Sequence, residues 1–290
     1  MKGLYIIMAY GKSIELFLVN GTADSHVTAE LSNWNGKAIK IPRIEVTACK
    51  REDITAPGVY FLFCKEDDGS DSVYIGEAEN VKERLVRHIQ DFKQDKETYE
   101  WNTAVIFVGR DLNKALIRYL ENRLFDIAKE CNRVKLLTKN TYRNTVLKES
   151  QIAVMEEFIE NIKVLLNTLG YKTLEPYVSG STSDSPIMDN NLYLNTKTAS
   201  AVGRVTTEGF VVLKGAKVNE KTSPKSLSPG LIKLREKAFA DEKVKDFETV
   251  EDMLFSSSST AADFVLGYSV SGPMFWKNKE GVALKDLENE

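Results

Sequence analysis

The sequence predicts a mixed α+β protein: a small antiparallel sheet flanked by helices, a β-rich lead-in before it and a small mixed domain after it. Three observations predict this. Short apolar runs bounded by turn residues alternate with longer segments of helical periodicity. A stretch rich in Ser, Asp and Asn interrupts the chain near residue 180. The 290 residues exceed one average domain and fall short of three.

In the first fifty residues, Ile14, Leu16, Leu18 and then Ala38, Ile39, Ile41 alternate around Asn20-Gly21 and Asn35-Gly36, two hairpin-type turns. After Pro57-Gly58, the runs 59–63 and 72–75 flank a turn-rich segment at 66–70 and read as a β-hairpin. Asn80 is an N-cap candidate for a helix with Val81, Leu85, Ile89 and Phe92 at helical spacing. A strand at 104–108 follows, then helices over about 113–131 and 150–169. The second helix carries a strong stripe (Ile152, Met155, Phe158, Ile162, Leu165, Leu169) that reads as packing on its own domain, with a dimer seam as the alternative. Residues 176–196 lack periodicity and read as a linker. Beyond them lie a hairpin around 202–213 and helices starting near Ser228-Pro229 and Ser257. The expected organisation is therefore 1–50 extension, 51–148 core domain, 149–175 helical extension, 176–196 linker and 197–290 C-terminal domain.

A net charge of −3 excludes a polycation as a whole but leaves room for local basic faces. Three scattered cysteines and two histidines make a Cys/His zinc site unexpected. The apolar run 4–8 is too short for a signal peptide, and no run approaches the ~20 residues of a membrane span. The reading is a cytoplasmic protein with no membrane association.

The chemistry-bearing residues lie between Gly58 and Asn132. Tyr60 and Tyr74 sit on the two strands of the hairpin and can face one pocket. Arg84 and His88 are four residues apart and project from one helix face. Glu121 stands between Ile117 and Leu124, where periodicity expects an apolar residue. A carboxylate kept there is either paired with an arginine or binds a metal. A single carboxylate with water and phosphate oxygens suits Mg²⁺.

In order, Gly58-Val59-Tyr60, Tyr74-Ile75-Gly76, the helix with Arg84 and His88, and Glu121 resemble the GIY-YIG nuclease family over about residues 56–132. The first triplet has Val where the family's name has Ile. The resemblance implies a DNA endonuclease with a GIY-YIG α/β core that uses one Mg²⁺ or Mn²⁺. Tyr60 would activate or orient the attacking water, and Tyr74 would help hold water or phosphate. Arg84 would stabilise the charge of the pentavalent phosphate, and Glu121 would hold the metal. His88 would shuttle a proton or bind phosphate. The family's phosphate-contacting asparagine matches Asn132 best, with Asn140 and Asn144 as alternatives, and Arg133 and Lys135 continue a phosphate-binding stretch.

Residues 133–148 hold five basic and no acidic side chains, and 197–237 carry a net charge of +6, so DNA is the expected partner. The segment from Ser257 through Phe275-Trp276 resembles an uncharacterised domain commonly fused to GIY-YIG modules, and is expected to serve DNA targeting. Trp276 reads as core. The alternatives are a catalytically inactive DNA-binding or regulatory protein, and an RNA nuclease. Cutting both strands would require two protomers or two sequential nicks, which leaves a homodimer open.

Overall fold

A computed structural model describes residues 11–67, 69–138, 145–178 and 191–287. Lys139, Asn140, Arg143, Asn144 and most of the expected linker lie outside them. The chain divides into two compact units, Met1–Glu175 and Pro176–Glu290, and both are mixed α+β.

The first unit runs β1 (Ile14–Leu18), β2 (Val27–Leu31), β3 (Gly36–Pro42), the short helix α1 (Arg43–Val46), β4 (Gly58–Lys65), β5 (Asp71–Ala78), α2 (Val81–Lys93), β6 (Trp101–Gly109), α3 (Lys114–Cys131), β7 (Lys135–Leu136) and α4 (Glu149–Thr168). Its seven strands form one sheet in the order β1-β2-β3-β6-β4-β5-β7. The strands expected as a separate N-terminal extension are thus part of the same sheet. The join is β3 against β6, antiparallel from Gly36 opposite Gly109 to Pro42 opposite Thr103. Alternating apolar side chains predict a strand but not its partner, so this long-range pairing is not readable from the alternation.

β4 is buried on both faces, and its parity sorts its side chains. Val59, Phe61 and Phe63 join α3 and α4 in one core, while Tyr60, Leu62 and Cys64 join Val81 and Leu85 of α2 in another. The sheet is therefore sandwiched between helices. Asn80 caps α2 by accepting from the Glu83 amide (3.2 Å), and Asn113 caps α3 by accepting from the amides of Ala115 (3.0 Å) and Leu116 (3.2 Å). The apolar stripe of α4 (Met155, Phe158, Ile159, Ile162, Leu165) lies in the sheet core, with Phe158 against Trp34 at 4.7 Å between ring centroids. From Met155 to Leu165 that stripe packs within its own unit, while Ile152 and Val154 in the first turns of the helix are exposed.

The second unit contains β8 (Leu192–Asn195), β9 (Ser200–Thr206), β10 (Gly209–Val212), α5 (Pro229–Ala240), β11 (Val244–Lys245), β12 (Glu248–Thr249), β13 (Met253–Phe255), α6 (Ser258–Leu266), α7 (Gly272–Phe275) and α8 (Leu284–Leu287). Its main sheet has the order β13-β10-β9-β8. Trp276 is fully buried against Phe210 and donates its indole N–H to the Ser258 carbonyl (2.9 Å), a core role. Arg235 is also buried and donates to the carbonyls of Phe264 and Asn219 (2.6 Å for the latter), near the C-terminal end of α6 where carbonyls lack helical partners. Among the described residues, no helix is long and apolar enough to cross a membrane.

Candidate functional site

The structure brings Tyr60, Tyr74, Arg84 and Glu121 to one cleft of the first unit, of about 510 Å³, with Glu77 and Lys114 also on its wall. β5 explains the convergence. β7 pairs only with Ser72 and Val73, so among the described residues the outer edge of β5 is without a strand partner from Gly76 to Ala78. Side chains from both faces of the sheet meet around that open end. Tyr60, Tyr74 and Arg84 come from the α2 side, and Glu121 and Lys114 come from α3.

Gly76 lies directly opposite Tyr60 in the β4–β5 register, and the Tyr60 ring lies across it. A Cβ at Gly76 would stand 2.5 Å from the Tyr60 hydroxyl and 2.7 Å from Cε1 of Tyr74, so only glycine admits both phenols here. A Cβ at Gly58 would stand 2.5 Å from the Phe107 carbonyl oxygen, which is backbone and cannot step aside. The two glycines of the sequence triplets thus have steric reasons to be glycine.

Tyr60 and Tyr74 stack at 6.2 Å between centroids, and Tyr74 stacks in turn on Tyr99 at 5.6 Å. The Tyr60 hydroxyl is 2.9 Å from Nε2 of His88, which is completely buried. Burial, and then the neighbouring Tyr74, pushes the Tyr60 phenol well above its ordinary pKa, more than the Arg84 charge lowers it. Burial likewise raises Tyr74 against the pull of Arg84. Both phenols are neutral in the resting site, so Tyr60 is no preformed tyrosinate. Burial works to discharge Arg84, but the guanidinium hydrogen-bonds to the two phenol oxygens and stays charged. Burial and then the Arg84 charge push His88 down to about 3, against the nearby Asp91, so the imidazole is neutral at pH 7.

On the other wall, Glu77 is bound by Lys114 at 2.7 Å, with Arg118 at 3.9 Å. Glu121 has no ion pair within 4.0 Å among the described residues. Burial first, and then Glu77, raises it to about 7 despite Lys114, Arg118 and Arg84. A half-buried carboxylate facing a second carboxylate, with no ion pair among the described residues, is a donor suited to a hard divalent ion. No cluster of three or more Asp, Glu, His or Cys exists among the described residues, so water and substrate oxygens would have to complete the shell. That donor set fits Mg²⁺ or Mn²⁺ and does not fit zinc.

Asn132, Arg133 and Lys135 are not on the wall of this cleft. Asn132 ends α3 in the left-handed conformation (φ 48°), a C-cap role that Asn tolerates well, and stands about 16 Å along the helix from Glu121. Lys135 is held by Glu66 at 2.7 Å. The phosphate-binding assignment of these three is therefore not carried into the site.

Other residues of the site escaped sequence reasoning or received no role there. Lys114 and Arg118 share a helix face with Glu121, seven and three residues before it, a pattern that was readable. Glu77 was visible beside the second triplet without an assigned role. Glu97 and Tyr99 lie between α2 and β6, where no periodicity applies. The Glu97 carboxylate is 2.7 and 2.9 Å from Nδ1 of His88, and Tyr99 hydrogen-bonds to it.

The family described as Domain of unknown function (DUF4357) matches residues 192–288, the larger part of the second unit. No curated protein and no solved structure matches the chain.

Proposed function

We propose that the first unit is a metal-dependent phosphodiesterase that cuts DNA, as its resemblance to the GIY-YIG nucleases implies. The observation that carries this reading is the convergence of two phenols, a guanidinium and a half-buried carboxylate on one open cleft. Mg²⁺ or Mn²⁺, held by Glu121 with Glu77 nearby, would supply positive charge to the phosphate and leaving oxygens. The Tyr60 hydroxyl, 2.9 Å from Nε2 of His88 and accepting from Arg84, would donate to the imidazole and use its remaining lone pair to orient and receive a proton from the attacking water. Arg84, fixed between the phenols, faces the negative charge that grows as phosphorus becomes pentavalent. Tyr74 braces Tyr60 and borders the phosphate position.

DNA is the proposed substrate and partner. Arg87 lines both the cleft and a neighbouring groove with Lys82, which supports a backbone path across α2. The second unit is proposed to add DNA affinity. It has a cleft where Tyr193 and the 37%-exposed Phe275 stand beside Lys277 and Lys279, with no carboxylate on the wall among the described residues, a pairing suited to bases and phosphates. Lys277→Glu with Lys279→Glu is expected to weaken DNA binding and to flatten the log Kd against log salt slope by about 0.7–0.9 for each phosphate that is no longer neutralised. Unchanged affinity and slope would remove this role. Buried, unpaired Cys49 and Cys64 suit a reducing compartment, so the proposed location is the cytoplasm.

The test of the function is incubation of end-labelled duplex and single-stranded DNA with Mg²⁺ or Mn²⁺. Metal-dependent cleavage that EDTA stops supports it. Salt-sensitive binding with no cleavage would favour a catalytically inactive DNA-binding protein, and cleavage of RNA alone would move the substrate class.

A further inference from the structure

We infer that Glu97 is a positioning residue for the reaction: it fixes His88 in the Nδ1–H tautomer, so that Nε2 is the acceptor for the Tyr60 proton. This rests on the phosphodiesterase reading for its consequence, but not for its geometry.

The loop that carries Glu97 is built to return it to α2. After Lys93 the amides of Gln94 and Lys96 donate to the carbonyls of Gln90 and Asp91 (3.1 and 2.8 Å), and Asp95 takes a left-handed conformation (φ 56°) that turns the chain back. Glu97 thereby lies against His88, one turn inside the helix end. Both carboxylate oxygens are within 2.9 Å of Nδ1, and a carboxylate only accepts, so the proton must be on Nδ1. Nε2 then carries a lone pair and faces the Tyr60 hydroxyl at 2.9 Å, so Tyr60 donates. Tyr99 sits 3.5 Å from Nδ1, too long to compete, and its hydroxyl satisfies Glu97.

The groups facing the imidazole are Arg84, Arg87 and Asp91 on α2, Tyr60 on β4, Tyr74 on β5, and Glu97 and Tyr99 on the loop. Arg84 and Arg87 oppose a positive imidazole, and Glu97 is the anion in direct contact with it. In the step itself, the water oxygen forms a bond to phosphorus while the bond from phosphorus to the leaving oxygen breaks. The water proton passes to Tyr60 Oη, and the Tyr60 proton passes to His88 Nε2. The imidazolium is held by the Glu97 carboxylate until the proton returns by way of Tyr60 to the open cleft, and the leaving oxygen takes a proton from water. Burial and the Arg84 and Arg87 charges disfavour that imidazolium, and the carboxylate on its far nitrogen is the contact that opposes them.

The test reads the tautomer on the full chain without substrate, by long-range ¹H–¹⁵N correlation. His26 and His88 are the only histidines, and His26→Gln assigns them. Wild type is expected to show His88 protonated at Nδ1 alone. Glu97→Gln keeps an acceptor oxygen and is expected to keep that tautomer. Glu97→Leu is expected to populate the Nε2–H form. Cleavage rates are expected to fall in the order wild type, Gln, Leu, the last approaching the ~10²–10⁴-fold contribution of a positioned proton acceptor. A wild-type His88 protonated at Nε2 overturns the inference and needs no variant to fold. So does a folded Leu variant that cleaves at the wild-type rate. The expected tautomers with no cleavage by any of these proteins would instead sink the phosphodiesterase reading and leave the Glu97 contact standing.

Discussion

Replacing Arg84 with alanine is expected to lower single-turnover DNA cleavage by about 10³-fold or more, while changing DNA affinity less than about tenfold. The asymmetry follows from where the guanidinium sits. It is half-buried between two neutral phenols whose oxygens accept its hydrogen bonds and keep it aimed before substrate arrives. A cation that costs no rearrangement favours the pentavalent state, with its extra charge, over the ground-state diester. Arg84→Lys is expected to recover little, because an ammonium lacks the planar fork that reaches two phenols and a phosphate oxygen together. Losing Arg84 also removes a charge that depresses His88, so the His88 pKa is expected to rise from about 3 in the alanine variant, as followed by NMR titration. An Arg84→Ala protein that melts normally and cleaves within tenfold of wild type would contradict this role.

Replacing Glu121 with glutamine is expected to separate function from stability. Its carboxyl is raised from 4.5 to about 7 in the folded protein, so between those values the folded state holds a proton that the unfolded state has released. That gain in stability is present at low pH and is lost as pH rises through 7, when the ionised group must face Glu77. At pH 8 without metal, Glu121→Gln is therefore expected to melt higher than wild type. Allowing for the partial exposure of the group, the difference is about 2 kcal/mol, or roughly 4–8 °C. Mg²⁺ or Mn²⁺ is expected to raise the wild-type midpoint as the ion concentration exceeds its Kd, and to leave the glutamine variant unmoved. The more stable protein should then be inactive. Equal metal responses in the two proteins would place the ion elsewhere.

Local chemistry made much of this site legible in the sequence. Asn80 and Asn113 marked helix starts because their side chains satisfy otherwise unpaired amides, and the hairpin runs at 59–63 and 72–75 placed Tyr60 and Tyr74 on adjacent strands. Glu121 stood out as a charge on an apolar face. What stayed hidden depended on distant chain segments. The lead-in strands gave no sign that β3 pairs with β6, because the partner is set by the whole fold. Glu97 reaches His88 only because Asp95 reverses the chain after α2, and left-handed residues other than glycine leave little trace in sequence. Asn132 shows how one residue type suits both phosphate contact and helix termination, and its backbone serves the second.

The central claim, that the cleft is a metal-dependent phosphodiesterase site, is tested most directly by supercoiled plasmid and single-stranded DNA incubated with Mg²⁺ or Mn²⁺. Wild type is compared with Glu121→Ala and Tyr60→Phe, each first shown by thermal melting to be folded. The account predicts metal-dependent nicking by wild type that both substitutions abolish or reduce by at least about 10²-fold. Cleavage by wild type that survives both substitutions, or salt-sensitive DNA binding by all three proteins without any cleavage, would contradict it.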